Sequence, residues 1–207
     1  MSWLMAAVYD RCMRVSNEAC LDIWRAQLLR DLSGEVLEVG AGTGVTLPHY
    51  PKTVTRLLLC EPDPHMRRKL QAKRDAAGAK HVEISDASLE ALPAAPASLD
   101  AVVCSLVLCS VPDQQTALKE IQRVLKPGGK LVFLEHVAAD GKPNRLKWQR
   151  RIEPVWKHLM GNCHLTRRTE AALTAAGFRI ERIERESIRK ALPIVRPSIR
   201  GIARKGG

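Results

Sequence analysis

The chain has 207 residues, of which 45% are hydrophobic and only 4% aromatic, with a formal net charge of +11. That length suits a single α/β domain with a sizeable buried core, and no repeat, low-complexity tract or linker divides it. Residues 1–144 carry 17 Lys/Arg against 17 Asp/Glu, whereas residues 145–207 carry 16 against 5; this asymmetry points to an anionic partner or to a solvated face, and the scarcity of aromatic stacking platforms makes nucleic acid an unlikely partner.

Ser2–Tyr9 is apolar but far shorter than the ~20 residues a membrane-spanning helix needs. It reads as the first turns of a packed helix, with surface contact through Arg11 and Arg14 as the alternative. Asn17 reads as the cap of a second helix with Leu21, Trp24 and Leu28 on one face. The run Glu35-Val-Leu-Glu38-Val is a strand that enters Gly40-Ala41-Gly42-Thr43-Gly44. Glycines at alternate positions permit backbone angles that side chains forbid and let a ligand approach the main chain. A dinucleotide fingerprint would need a further glycine where Val45 stands. Arg56–Glu61 is the next strand. Its terminal acid lies roughly 20 residues after Gly40, a separation at which a carboxylate reaches a ribose diol in a doubly wound sheet; the plain alternative is a solvated strand-end acid.

Asp63 caps a charged helix that opens with Pro64 and stops at Gly78. His81–Ser85 reads as a strand followed by Asp86-Ala87, where an acid next to a small residue accepts from an adenine amino group or simply forms a turn. Leu99–Cys109 is a nearly continuous apolar run, as expected of a strand covered on both faces. A helix bearing Leu118, Ile121, Val124 and Leu125 is stopped by Lys126-Pro-Gly-Gly129, and Lys130–His136 is the following strand. Trp148, Trp156 and Leu159 would form the apolar underside of a later helix. Thr166 would cap another that ends at Gly177. Cys12, Cys20, Cys60, Cys104, Cys109 and Cys163 show no metal-type spacing, so no metal is expected and a reducing cytoplasm is the simplest setting.

Gly40-x-Gly42-x-Gly44 after an acidic strand end resembles motif I of the class I S-adenosylmethionine (SAM) methyltransferases, and the later landmarks follow in that family's order. The resemblance implies a doubly wound, seven-stranded, mostly parallel sheet. Its last two strands, near Phe178 and Ile199, would be antiparallel. It also implies one structural domain, with N-terminal lid helices over 1–33 and the methyltransferase unit over 34–207. The cofactor would be SAM and the product S-adenosylhomocysteine. Glu38, Gly40, Ala41, Gly42, Gly44, Glu61, Pro62, Asp86, Ala87, Ser105 and Leu106 would hold the cofactor.

Four further blocks are Leu106-Val-Leu-Cys-Ser-Val111, Glu135-His-Val-Ala138, Glu153-Pro-Val-Trp-Lys-His158 and Cys163-His-Leu-Thr-Arg167. They resemble the thiol methyltransferase family, over most of the chain from about Gly34. Glu61 stands where those proteins have an aspartate. The animal members carry an apolar N-terminal anchor, whereas this chain starts almost at the first lid helix, so the expected location is cytoplasmic, with peripheral contact to an anionic membrane left open.

The implied reaction is an in-line displacement in which a thiolate attacks the sulfonium methyl. His136 is a candidate base at the end of a strand, with a backbone-bonded strand-end His as the alternative. Glu135 either orients it or faces away, because neighbouring strand residues alternate. His158 and Lys157 are further candidates, either for lowering a thiol pKa or for binding an acidic group. Cys109 and Ser110 would border the donor methyl, Trp156 and Cys163 would line the acceptor side, and Arg167 would meet an anionic group. A phospholipid or quinone-type N- or O-methyltransferase at a membrane surface is the alternative activity, and a SAM-binding protein without turnover is a third.

Overall fold

The computed structural model describes residue 11, residues 13–79 and residues 81–206; the apolar stretch Ser2–Tyr9 lies outside them. A π-wound turn, Asn17–Leu21, leads into α1 (Asp22–Leu29). There follow β1 (Gly34–Val39), β2 (Val54–Cys60), α2 (Pro64–Ala76), β3 (Glu83–Ser85) and β4 (Leu99–Ser105). Then come α3 (Gln114–Val124), β5 (Leu125–His136), α4 (Pro143–Leu159), α5 (Thr169–Ala175), β6 (Phe178–Ser187) and β7 (Pro197–Lys205).

The seven strands form one sheet in the order β3-β2-β1-β4-β5-β7-β6. β1 to β5 pair in parallel, while β7 runs antiparallel to both β5 and β6. The chain leaves β1 toward β2 on one side, and β4 begins the other half on the opposite side. The crevice beyond the carboxyl ends of β1 and β4 is therefore the topological switch point, where open α/β sheets bind ligands.

Strand alternation distributes the core over both faces. Leu37, Val39, Val102, Cys104, Leu131 and Phe133 pack with α3 and α5 on one side. Val36, Ala101, Val103, Val132 and Leu134 pack with Leu21, Trp24, Leu28 and Leu29 of the N-terminal segment on the other. Each fully buried leucine or phenylalanine stabilises by about 1.5–3 kcal/mol relative to exposure. Asp63 caps α2 by accepting from the amides of His65 and Met66, with Pro64 in the first turn. Asp113 caps α3 in the same way through Gln115 and Thr116.

The structure corrects several expectations. Asn17 makes no cap bond; its Oδ1 accepts from Arg25 Nη1 at 2.9 Å, inside the π-wound turn. Thr166 lies ahead of α5, whose preceding residue, Arg168, makes no side-chain cap. β4 ends at Ser105, not Cys109, and the ladder of β5 begins at Leu125. Lys126–Gly129 forms an irregularity in that ladder: the register steps from Leu99↔Leu125 to Ala101↔Lys130. Trp148 and Leu159 are 56% and 59% exposed, so they do not form a buried underside of α4.

Candidate active site

The glycine loop turns at three positive-φ residues, Gly40 (59°), Gly42 (57°) and Gly44 (78°). A side chain at Gly40 would meet Val107 Cγ2 at 2.5 Å, and one at Gly44 would meet Leu70 Cδ1 at 2.7 Å. At Gly42 the nearest atom would be 3.9 Å away. Two glycines thus allow the loop to pack, and the middle one leaves its outer surface open to a ligand. Ala41 anchors the turn by donating its amide to the Cys60 carbonyl, and Gly44 donates to the Ala41 carbonyl.

The two strand-end acids hold this loop. Glu38 is buried and accepts from Thr46 Oγ1 at 2.6 Å and from the Tyr50 hydroxyl at 2.9 Å. Burial pushes its carboxyl upward despite these donors. Glu61, at the end of β2, accepts from the Gly42 amide at 2.8 Å and the Asp63 amide at 2.9 Å. Burial raises it too. Arg25 of α1 is buried, donates to Asp22 at 3.2 Å and reaches Ser105 Oγ at 3.5 Å, tying the N-terminal helix to the end of β4. Thr46, Tyr50 and Arg25 are site residues that sequence reading missed; only their contacts across the fold reveal them. Pro62 and Asp86 are exposed at the rim, and Ala87 is half-buried and packs on the core.

After Ser105 the chain leaves the sheet at Leu106, which has a φ of 60°. Glu135, fully buried on β5, explains the departure. Its Oε1 accepts from the amides of Val107 and Leu108 at 2.9 Å each, and its Oε2 accepts from that of Cys109 at 3.2 Å. The desolvation of that carboxyl pushes it up to about 7. Glu135 shapes the loop beside the glycine turn, and its carboxylate is taken up by these amides while its neighbour His136 meets Cys163.

His136 Nε2 lies 2.9 Å from Cys163 Sγ, and Trp156 Nε1 donates to the same sulfur at 3.3 Å. The donor atoms of Cys109, His136 and Cys163 all lie within 4.8 Å of one another. The Cys109 thiol, with help from His136 and Trp156, pulls Cys163 well below the ordinary thiol range against the opposing effect of burial. Its bond to Cys163 and burial push Cys109 up instead. Burial alone would lower His136, but Cys163 together with the Glu135 and Glu153 carboxylates outweighs it and the net direction is upward. Cysteine and histidine so arranged favour a thiolate beside an imidazolium.

The remaining candidates lie apart from this cluster. His158 is exposed on the last turn of α4. Arg167 Nη2 donates to the carbonyls of Val111 (2.7 Å) and Pro112 (3.2 Å), so its head clamps a loop. A cavity of about 780 Å³ between the 137–142 segment, α5 and the β6–β7 ends includes Arg167 but neither the glycine loop nor the Cys–His cluster. Volume alone does not mark this site. Among the described residues, no helix is long and apolar enough to cross a membrane.

The switch-point crevice, the open glycine turn and the two acids define a class I methyltransferase, and a family model described as a methyltransferase domain matches residues 37–133. The human protein called thiol S-methyltransferase TMT1A (Homo sapiens) is 36% identical over 174 residues, covering 82% of this chain and 70% of that protein. Rat thiol S-methyltransferase TMT1B (Rattus norvegicus) is 39% identical over 158 residues, 72% of this chain and 63% of the relative. The chain thus spans less than two thirds of the rat protein's length. A demethylmenaquinone methyltransferase of Thermobifida fusca is 30% identical over 149 residues, 71% of this chain and 60% of that one. A solved SAM-dependent methyltransferase from Aquifex aeolicus shares the fold at a TM-score of 0.64, with 19% identity, covering 99% of this chain and 98% of that one. The chain belongs to the thiol S-methyltransferase family within the class I methyltransferases.

Proposed function

We propose that this protein transfers the methyl group of SAM to the sulfur of a small-molecule thiol and releases S-adenosylhomocysteine. In this reading the glycine turn takes the methionine part of the donor at the open Gly42 face, and Glu61 accepts from the ribose hydroxyls. Asp86 and Ala87 stand at the adenine end, and Ser105 and Leu106 border the crevice.

The observation that carries the acceptor assignment is the Cys109–His136–Cys163 cluster. Gly40 packs directly on Val107, and the loop from Val107 leads at once to Cys109, so the cluster stands one short loop from the cofactor turn. A free thiol is ionised to roughly a few per cent near neutrality, and only its thiolate attacks well. Side chains that bind or hold a sulfur anion belong at the acceptor position of such a reaction. Once donor and acceptor are aligned in a dry crevice, positioning supplies much of the rate.

The test is an assay of the purified protein with methyl-labelled SAM against short alkyl thiols, aromatic thiols, amines and phosphatidylethanolamine. Label in thioether products, with matching release of S-adenosylhomocysteine, is the expected result. Label confined to amine or lipid products would overturn the thiol assignment. The quinone-enzyme relative supports one competing acceptor, so a demethylated quinone belongs in the same panel.

A further inference from the structure

Three sulfur and nitrogen donors converge from separate parts of the fold. Cys109 lies on the loop after β4, His136 ends β5, and Cys163 lies on the loop after α4. We propose that Cys109, His136 and Cys163 form a zinc site with three protein ligands, whose fourth position receives the acceptor sulfur.

The donor set is the chemistry zinc selects, two cysteine sulfurs and an imidazole, and three protein ligands with one open position is the catalytic pattern. A tetrahedral ion with these ligands would place sulfur about 3.8 Å from sulfur and about 3.6 Å from nitrogen. The three donor atoms already lie within 4.8 Å of one another, with His136 Nε2 and Cys163 Sγ at 2.9 Å. Shifts of about 1 Å or less therefore suffice to reach coordination distances.

The surrounding backbone holds the ligands in place. Glu135 fixes the Cys109 amide. On either side of Cys163, Asn162 Nδ2 donates to the Ser110 carbonyl at 2.9 Å, and the His164 amide donates to the Cys109 carbonyl at 2.8 Å. These bonds keep the two cysteines side by side. His136 Nδ1 and Glu153 Oε2 are both buried without a partner. An ion on Nε2 would fix the ring proton on Nδ1, creating a donor in a region that already contains an unused carboxylate oxygen.

Rested on the thiol reading of the proposed function, the site explains how the acceptor is activated. The thiol displaces a water from zinc and gives its proton to solvent, and its sulfur binds as thiolate. A sulfur lone pair then forms the new S–CH3 bond as the sulfonium S–CH3 bond breaks and its electron pair stays on S-adenosylhomocysteine. The thioether product is neutral and a weak ligand, so it leaves.

The experiment uses the reduced full chain, stripped with a chelator and reloaded with zinc or cobalt(II) alone. About one metal ion per chain is expected, and the cobalt form should show thiolate-to-metal charge transfer and the strong visible bands of a four-coordinate ion. Ethanethiol should shift those bands. Cys163→Ser and the double change Cys109→Ser/Cys163→Ser should lose the stoichiometric metal while still binding S-adenosylhomocysteine by calorimetry, and Cys60→Ser should keep it. A reduced chain that binds S-adenosylhomocysteine but takes up no metal overturns the site, as does metal retained by the double variant. Thiol methylation by metal-free protein also overturns it and leaves the proposed function standing. Bound zinc with ethanethiol-sensitive cobalt bands upholds the site even if the only methylated product is an amine or a lipid.

Discussion

Under the proposed function, Glu61 would set how donor affinity responds to pH. Burial, against the donors Asp63 and Gly42, raises its carboxyl above the ordinary 4.5. A raised acid contributes stability that is present below the unfolded value and lost as pH rises through the folded one. In the proposed function SAM would act in the opposite direction, because its ribose hydroxyls would donate to the ionised carboxylate. Donor affinity should therefore rise with pH across that window and fall on acidification. Calorimetric titration in steps from about pH 5 to about pH 7.5 should show this slope in the wild type and most of it flattened in Glu61→Gln. Glu61→Ala should weaken SAM roughly 10- to 100-fold, the worth of bonds to a charged acceptor. His136→Ala, which removes a group placed to hold a sulfur anion, is expected to lower kcat roughly 100-fold while leaving calorimetric SAM affinity near wild type; an unchanged kcat would remove His136 from the reaction. These residues differ in how legible they were. Glu61 could be read from its distance to Gly40, since the two follow the ends of the adjacent parallel strands β1 and β2, joined by one short connection. The family resemblance singles out Cys109 and Cys163, but their grouping with His136 could not be read, because each lies 27 residues from His136 and only the tertiary fold brings them together.

Among the elements, the glycine turn and the loop after β4 behave as one unit. Gly40→Ala pushes a methyl to 2.5 Å from Val107 at a φ of 59°, so it should lower the denaturation midpoint. Gly42→Val meets open space within the protein and should cost about 1–2 kcal/mol of backbone strain while abolishing SAM binding. Differential scanning fluorimetry with and without S-adenosylhomocysteine separates the two outcomes. Glu135→Ala would leave the buried amides of Leu108 and Cys109 without an acceptor at about 1–3 kcal/mol each, so a loss of about 2 kcal/mol or more is expected in denaturant unfolding. Glu135→Gln keeps a carbonyl oxygen for Val107 and Leu108 and should lose less. The apolar sequence ran on through Cys109 without a break, so pattern alone extended β4 too far. What ends the strand is an acid on the neighbouring strand, which no local periodicity encodes. The Asp63 cap and the Gly78 stop were legible because they act within their own helix.

For the molecule as a whole, the sequence showed the sheet and its charge imbalance but not what the charges do. Several of the basic residues in the last third are paired on the surface with acids of the same chain: Arg168 with Asp140, Arg185 with Glu170, and Arg204 with Glu181. Arg200 goes further. It is buried on β7, pairs with Glu184 and Glu186, and lies 4.3 Å over the Trp24 ring of α1. One guanidinium thus joins the antiparallel end of the chain to the N-terminal helix that reaches Ser105 through Arg25. Its carboxylate partners are partly exposed, which tempers their share, whereas a desolvated cation over indole contributes about 2 kcal/mol. Arg200→Ala should therefore destabilise by about 2–4 kcal/mol. Because only a planar guanidinium can stack and fork at once, Arg200→Lys should recover little of that loss. Donor binding should weaken in parallel, as α1 loosens beside the crevice. Chemical denaturation of both variants and of Trp24→Ala, combined as a double-mutant cycle, would measure the coupling; additive effects would show that α1 and β7 are held together by the surrounding apolar contacts alone.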